Sequence, residues 1–148
     1  MPQILEFVIN HWDLFLALAI ILFMLFSGGL TSRLRGFSQL DAQEAVRLLN
    51  HNDAVMLDVR EDGEYKDGHI IDAVHIPLGK LEQRMGELEK FREKSVIVSC
   101  RSGHRSATAC ARLRKNGFET VYNLKGGVMA WQSAGLPLQK PTKGKKRK

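Results

Sequence analysis

A cysteine at residue 100 is surrounded by groups that favour its ionised form. The segment CRSGHR over residues 100–105 places Arg101 and Arg105 close to this cysteine, with Gly103 between them. Glycine lets a tight loop turn successive N–H groups toward one point, and such a group of amides attracts an anion. The two arginines add permanent positive charge. We therefore predict that Cys100 has a lowered pKa and acts as a thiolate nucleophile.

The elements on either side of this loop give it a definite place. Residues 95–99, SVIVS, form an apolar run typical of a buried strand, and residues 106–116, SATACARLRKN, read as a helix that stops at Gly117. Ligands of parallel α/β sheets bind at the carboxyl ends of the strands. The loop is therefore expected at that edge, with its N–H groups at a helix N-terminus.

Two reaction classes use a thiolate inside an anion-binding loop. A cysteine phosphatase wraps its loop around a phosphate dianion, and a sulfurtransferase wraps it around the outer sulfur of a cysteine persulfide. Phosphatases of this fold class carry one residue more than the four that separate Cys100 from Arg105. The smaller loop suits a single terminal sulfur better than the oxygens of a phosphate.

The second cysteine, Cys110, lies within the predicted helix between Ala109 and Ala111. A cysteine in such a place is a small buried apolar residue. A disulfide between Cys100 and Cys110 is disfavoured by geometry, because the two lie ten residues apart on one loop and helix. Free thiols indicate a reducing compartment.

The central part of the chain alternates apolar strands with helices. A capping box at Asp41 and Glu44 opens a helix through Asn50, and further helices are predicted at 80–91 and after Gly126. The remaining strands are continuous apolar runs, at 54–59, 73–76 and 120–124. This pattern predicts an α/β fold with a parallel sheet covered on both faces, and 148 residues are enough for one such domain.

The N-terminal segment has a different composition. Residues 14–26 are thirteen apolar positions in a row, and a helix over residues 12–30 would measure about 28 Å, close to the hydrocarbon thickness of a bilayer. A buried core helix and a cleaved signal peptide are the alternatives, but no Lys or Arg precedes the segment as a signal peptide requires. We predict a transmembrane helix at 12–30, after a short segment at 1–11 and before a linker at 31–36.

Basic residues lie on one side of that predicted helix. No Lys or Arg occurs before residue 31, whereas Arg33 and Arg35 follow at once. The positive-inside rule then places the N-terminus outside and the rest of the chain in the cytoplasm. We expect a single-pass protein of the cytoplasmic (inner) membrane, with the lipid bilayer as the partner of residues 12–30.

The C-terminal tail, residues 140–148, is strongly basic. Its six Lys and Arg residues equal the whole net charge of +6. We predict a disordered, solvated tail, with a contact to anionic lipid as the alternative. Binding to nucleic acid is not expected, because no aromatic residue interleaves the charges and no known motif precedes them.

Three blocks of the sequence together resemble the rhodanese domain, a family of single-cysteine sulfurtransferases. They are LDVREDGEYKDGHIIDAVHIP (57–77), CRSGHRS (100–106) and GFETVYNLKGGVMAW (117–131). The blocks occur in the family's order and spacing, and they predict a rhodanese domain over residues 37–139. The membrane segment is not part of the family pattern, but it is similar to that of membrane-anchored bacterial members.

The resemblance implies a rhodanese-like five-stranded parallel sheet with helices on both faces, whose short first strand is residues 37–40. It makes Asp58-Val-Arg60 and Gly68-His69-Ile70 mainly scaffold and places Arg60 and Glu64 to pair near the loop. Trp131 is expected in the core, and His104 is expected to tune the charge over the pocket.

The resemblance also implies the chemistry. Cys100 is expected to take sulfane sulfur from thiosulfate or a persulfide donor and to pass it, through a Cys100 persulfide, to a thiophilic acceptor. Five loop residues are expected to bind the substrate: Arg101, Ser102, Gly103, His104 and Arg105. No metal or organic cofactor is expected. The expected partners are a small sulfur donor, a small-molecule or protein thiol acceptor, and a membrane protein.

A function of another class remains open at this point. The domain could be a membrane-anchored module that binds a protein partner with little turnover, and a cysteine phosphatase is a further alternative. The intact loop of Cys100, Arg101 and Arg105 favours the enzyme, because a module without chemistry has no need of those residues.

Overall fold

The computed structural model describes residues 2–34, 36–51 and 53–141, without the side chains of residues 2, 5 and 27–34. From residue 142 onward, the predicted basic tail lies outside the described residues. The chain divides into two compact units, Met1–Arg35 and Gly36–Lys148. The second unit contains the predicted rhodanese domain.

The first unit consists of two helices, α1 (Pro2–Asn10) and α2 (Trp12–Leu34). Helix α2 therefore continues through most of the predicted linker at 31–36. Its described apolar side chains are exposed on every side, with Phe23 at 74% and Phe26 at 76% of full exposure. Among the described residues, no helix is both long and apolar enough to cross a membrane. The predicted transmembrane helix at 12–30 is thus not supported, and the side chains of its last four residues lie outside the described set.

The second unit is built on a five-stranded sheet. The strands are β1 (Ser38–Leu40), β2 (Ala54–Asp58), β3 (Val74–His75), β4 (Ser95–Ser99) and β5 (Val121–Leu124). Their order in the sheet is β1-β5-β4-β2-β3, and every neighbouring pair is parallel. The predicted α/β fold with a five-stranded parallel sheet is therefore confirmed.

Helices and short turns cover both faces of this sheet. The α-helices are α3 (Ala42–Asn50), α4 (Asp62–Asp67), α5 (His104–Lys115) and α6 (Gly127–Ser133). Alternate residues of β4 enter opposite cores, because successive side chains of a strand point to opposite faces. Val96 and Val98 pack with Leu113 of α5, and Ile97 packs with Trp131 of α6.

Local sequence explains where several elements begin. Asp41 accepts a 2.8 Å hydrogen bond from the N–H of Glu44, and the Glu44 carboxylate accepts one of 3.1 Å from the N–H of Asp41. The predicted capping box is thus confirmed at the start of α3. The predicted helix at 80–91 is wrong in type: the chain forms 3-10 turns at Leu78–Lys80 and Met85–Phe91. Gly86 lies inside the predicted helix and Gly79 directly precedes it, and glycine disfavours a regular helix.

The register of the sheet decides what lies at its carboxyl edge. β4 is the central strand, with β2 and β5 on its two sides. Asp58 is paired with Ser99, and Asn123 is paired with Val98. The residues that follow β4 therefore emerge between the ends of β2 and β5, and the first of them is Cys100.

Candidate active site

Cys100 lies at the base of the loop between β4 and α5. The residue is 1% exposed, because the chain turns sharply after Ser99 and folds over it. Gly103 makes this turn with φ +98° and immediately precedes α5. That left-handed conformation favours glycine. The sequence predicted this glycine, while α5 begins two residues earlier than expected, at His104.

The sulfur of Cys100 contacts one group of its own loop and one of helix α5. The N–H of Gly103 donates to Sγ at 3.1 Å, and the Ser106 hydroxyl lies 3.3 Å from Sγ. Ser106 in turn donates to Asn123 Oδ1 at 2.6 Å, and Asn123 Nδ2 donates to the Gly103 carbonyl at 3.0 Å. Loop, helix and strand β5 thus form one closed hydrogen-bond network around the sulfur.

The two cysteines differ sharply in acidity. Burial raises the pKa of the Cys100 thiol, but hydrogen bonding with the Ser106 hydroxyl and with the N–H groups of residues 102, 103 and 106 favours the thiolate and outweighs burial. The pKa of Cys100 therefore lies below its ordinary value, in the predicted direction. For Cys110, burial dominates and raises the pKa far above the ordinary value. Both thiols are free, as predicted, and only Cys100 is prepared to act as a nucleophile.

The charges around the loop are arranged differently from the prediction. Arg105 forms a two-pronged ion pair with Glu64, with both N–O distances at 2.8 Å. That hydrogen bond holds the pKa of Glu64 at about 2 and raises the pKa of Arg105. The positive charge of Arg105 is thus balanced by a carboxylate. Two kinds of group were predicted to lower the pKa of Cys100, the N–H groups of the loop and the arginines; the hydrogen-bond donors do so, and the arginines are not among the main causes.

The expected pairing of Arg60 with Glu64 is wrong. Arg60 is buried and donates to both oxygens of Asp58, with the shortest distance at 2.7 Å, and also to the Gly68 carbonyl at 2.8 Å. A buried guanidinium needs a carboxylate partner, and Asp58 at the end of β2 supplies it. Arg60 and Asp58 are scaffold, as the resemblance implied.

The other predicted binding residues line the mouth of the loop. Arg101, Ser102 and His104 are exposed, while Gly103 and Arg105 are half-buried. Within the described part of the chain, no side-chain hydrogen bond or ion pair is found for Arg101. Its guanidinium is therefore available to an anion at the mouth. The structure places Arg101, Ser102 and Gly103 in the loop and His104 and Arg105 in the first turn of α5, but their binding roles stay predictions.

The first turn of α6 fixes the loop from outside. The N–H of Val128 donates to the Cys100 carbonyl at 2.8 Å, and the N–H of Met129 donates to the Arg101 carbonyl at 3.1 Å. Gly127 has φ +58°, and a Cβ there would lie 2.6 Å from the carbonyl carbon of Arg101. Only glycine allows this close approach of α6 to the loop.

His69 is part of the scaffold and not of the site. It is buried, its ring stacks on Tyr65 at 3.8 Å, and its backbone pairs with that of Gln139. Trp131 is 5% exposed and belongs to the core, as expected. In the ranges that the structure describes, no cluster of three or more His, Cys, Asp or Glu side chains is placed to hold a metal ion.

Residues 41–134 match the family described as "Rhodanese-like domain". The matched region contains the sheet from β2 to β5 and the whole Cys100 loop. The chain belongs to the rhodanese-like domain family. The resemblance seen in the three sequence blocks is thereby confirmed.

Relatives of this rhodanese-like protein carry sulfurtransferase names. A protein named "Sulfurtransferase" from Allochromatium vinosum is 38% identical over 105 residues, covering 70% of this chain and 96% of that protein. A solved structure of thiosulfate sulfurtransferase from Pseudomonas aeruginosa is 31% identical with a TM-score of 0.66, covering 76% of this chain and 22% of that one. The chain is a member of a sulfurtransferase family.

A third relative extends beyond the rhodanese-like domain. The Escherichia coli protein YibN is 34% identical over 142 residues, covering 93% of this chain and 97% of that protein. This match cannot be confined to residues 41–134. The N-terminal unit is therefore similar to the corresponding part of YibN.

Sequence reasoning missed three contributors to the site of this rhodanese-like domain. The sequence pattern predicts Ser106 only as the start of a helix, Asn123 as part of an apolar strand, and Gly127 as the start of the last helix. The available signal was a polar residue inside a strand that is otherwise apolar or aromatic, VYNL. A buried polar side chain needs a hydrogen-bond partner, and the partner of Asn123 is the active-site loop.

Proposed function

We propose that this protein transfers sulfane sulfur through a persulfide on Cys100. The observation that carries the proposal is the contact between the buried Cys100 Sγ and the Gly103 N–H, with the Ser106 hydroxyl on its other side. A cysteine whose loop donors favour the anion is a nucleophile at neutral pH. The same N–H groups can hold the terminal sulfur of a persulfide.

The reaction has two displacements. In the first, the Cys100 thiolate attacks the outer sulfur of thiosulfate, the S–S bond of thiosulfate breaks, and sulfite leaves with the bonding electron pair. In the second, an acceptor thiolate attacks the outer sulfur of the Cys100 persulfide, and the Cys100 thiolate is released. Charge and atoms balance in both steps without an oxidant or a cofactor.

The five predicted binding residues have different roles. The N–H of Gly103 donates to the sulfur, and the N–H groups of residues 102 and 106 also lower the pKa of Cys100; together they stabilise the negative charge that develops there. Arg101 is exposed and is the cation that meets a dianionic donor at the mouth. Because Glu64 already balances Arg105, we assign Arg105 mainly to holding the loop in shape. His104 adds a further polar group at the rim.

A sulfur-transfer assay with matched cysteine variants tests this function. The full chain should transfer sulfur from thiosulfate, or from a small persulfide, to cyanide or a dithiol. Cys100→Ser should abolish transfer, and Cys110→Ser should leave it intact. Equal activity in the Cys100→Ser protein would overturn the proposal. Faster hydrolysis of a phosphate ester than sulfur transfer would favour the phosphatase alternative.

We further propose that the N-terminal unit holds the protein at the inner face of the cytoplasmic membrane. What supports this is the set of exposed apolar side chains described between Ile4 and Phe26, which from Leu14 onward is uninterrupted in sequence, since contiguous exposed apolar surface marks a contact with lipid or protein. Contact with lipid through this surface would keep the protein with membranes in high salt, because salt screens charge but does not weaken apolar burial. Release by salt alone would contradict the proposal. Digestion of the domain by protease added to spheroplasts would contradict a cytoplasmic location.

A further inference from the structure

Asn123 has a fixed orientation at the active site. Its Nδ2 lies 3.0 Å from the Gly103 carbonyl oxygen, which can only accept a hydrogen bond. Turning the amide over would bring Oδ1 against that oxygen, placing two acceptors in contact. Oδ1 must therefore face Ser106, which lies 2.6 Å away.

This orientation decides where the hydroxyl hydrogen of Ser106 goes. Asn123 Oδ1 is an acceptor only, and Ser106 has a single hydroxyl hydrogen to give. The 2.6 Å contact is therefore a hydrogen bond from Ser106 to Asn123. The 3.3 Å contact between Ser106 Oγ and Cys100 Sγ then has the thiol as donor. The described arrangement is thus that of the protonated cysteine.

Ionisation of Cys100 changes this balance. The thiolate is an acceptor, as is Asn123 Oδ1, so both compete for the one hydrogen of Ser106. Asn123 is 1% exposed, so if Ser106 turns away, water has little access to replace it. A buried acceptor without a donor raises the free energy of that state.

We propose that Asn123 is a positioning residue that controls the hydrogen of Ser106: it takes the hydrogen while Cys100 is a thiol and yields it to the sulfur when Cys100 becomes a thiolate. The proton lost by Cys100 passes to water, and no covalent bond of Ser106 breaks. In the persulfide the charge moves to the outer sulfur, and Ser106 donates to Asn123 again. Asn123 therefore disfavours the thiolate relative to both the thiol and the persulfide. We call this change in the hydrogen-bond partner of Ser106 the Ser106 switch. Its significance for turnover rests on the proposed persulfide function, whereas the switch itself does not.

The other ionisable groups around Cys100 are common to all variants needed for a test. Arg105 on α5 interacts electrostatically with Cys100, but its positive charge is balanced by Glu64 on α4, and Glu61 also interacts with this arginine. Cys110, also on α5, feels the charge of Cys100 and is itself protonated because burial raises its pKa. Changes at residues 106 and 123 leave these groups in place.

A double-variant cycle on the full chain tests the proposal. The rate of Cys100 alkylation by iodoacetamide is measured against pH for the unchanged protein, Ser106→Ala, Asn123→Leu and the double variant. Leucine has the branched shape of asparagine without its polar atoms. Ser106→Ala should raise the midpoint by about one pH unit, since it removes one hydrogen bond to the anion. Asn123→Leu should lower the midpoint by up to about one unit when Ser106 is present.

The double variant separates this role from a purely structural one. Without the Ser106 hydroxyl, Asn123→Leu should no longer lower the midpoint, because no hydrogen remains to be released. If Asn123 only tethers the loop through Gly103, its loss should shift the midpoint equally in both backgrounds, and that result overturns the proposal. No sulfur donor is present in this experiment. A failed sulfur-transfer assay would therefore refute the proposed function but would not bear on the Ser106 switch.

A second measurement needs no change at residue 123. The infrared S–H stretching band of Cys100, isolated by subtracting the spectrum of Cys100→Ser, should lie at the low frequency of a donating thiol. In Ser106→Ala the band should move to higher frequency. A band in the unchanged protein at the position of a thiol that donates no hydrogen bond contradicts the proposal, even where Asn123→Leu fails to fold.

Discussion

Replacement of Gly127 by alanine should damage the loop from a distance. The new Cβ would lie 2.6 Å from the carbonyl carbon of Arg101 and even closer to the carbonyl oxygen of Cys100. Both are backbone atoms and cannot turn aside, so α6 and the loop must separate. The Val128 hydrogen bond to the Cys100 carbonyl, 2.8 Å long, would be lost.

The expected loss of stability in Gly127→Ala can be estimated from the backbone strain and the lost hydrogen bonds. Alanine at φ +58° costs about 1 kcal/mol in backbone strain, and loss of the two hydrogen bonds from α6 to the loop costs about 1 kcal/mol each. The free energy of unfolding should fall by about 3 kcal/mol. In a domain of this size that lowers Tm by roughly 12 °C. Activity should fall about a hundredfold at temperatures where the protein is still folded, because a displacement of about 1 Å at the reacting sulfur has that effect.

The assay pairs calorimetry with sulfur-transfer kinetics and uses Gly63→Ala as the control. Gly63 lies inside α4, has ordinary backbone angles, and a Cβ there would meet nothing within 4 Å. Alanine at that position should leave activity unchanged and raise stability by about 0.5 kcal/mol. If Gly127→Ala behaves like Gly63→Ala in both measurements, the reasoning about the α6 contact is refuted.

Three further predictions concern charge and the second thiol. The hydrogen bond to Arg105 lowers the pKa of Glu64 from 4.5 to about 2. The contribution of Glu64 to stability is therefore present above about pH 4.5 and is lost as the pH falls toward 2. Glu64→Gln should flatten the fall of Tm between these pH values, and an unchanged slope would contradict the pairing. Arg101→Ala should lower kcat/KM for thiosulfate about tenfold or more, with a smaller effect on a less charged persulfide donor, and equal losses with both donors would show that Arg101 does not act on charge. At pH 7, peptide mapping after brief alkylation should find label on Cys100 and not on Cys110, whose pKa is raised by burial; early label on Cys110 would contradict that.

The sheet and its loop could be predicted because local patterns determine them. Apolar runs of strand length separated by helices predict a parallel sheet, and a cysteine directly after a buried strand, with a glycine three residues later, predicts an anion-binding turn. Cys100 and Gly103 were therefore identified from sequence. The capping box at Asp41 was found for the same reason, since its two partners lie three residues apart.

Pairings between distant segments could not be predicted in this way. Arg60 could reach either Asp58 or Glu64 on sequence grounds. Only the folded position of α4 brings Glu64 into an ion pair with Arg105. Asn123 is close to Cys100 solely because β5 lies beside β4 in the sheet. Such neighbours depend on strand order, which local periodicity does not contain.

The prediction of a regular helix at 80–91 was wrong for a different reason. Its apolar residues recur at helical spacing, and Leu81 and Leu88 are indeed buried in the core. Gly86 inside this stretch and Gly79 just before it weaken a regular helix, and the chain packs as short 3-10 turns. Burial of the apolar side chains, and not helix propensity, decides the path of this segment.

Mass spectrometry of the full chain after incubation with thiosulfate tests the central claim most directly. Once the donor is removed, the protein should carry the mass of one added sulfur atom, located on Cys100 by peptide mapping under non-reducing conditions. A dithiol acceptor should then remove it. The Cys110→Ser protein should load equally well and the Cys100→Ser protein not at all. Absence of added sulfur on Cys100, or loading that persists in Cys100→Ser, would contradict the account.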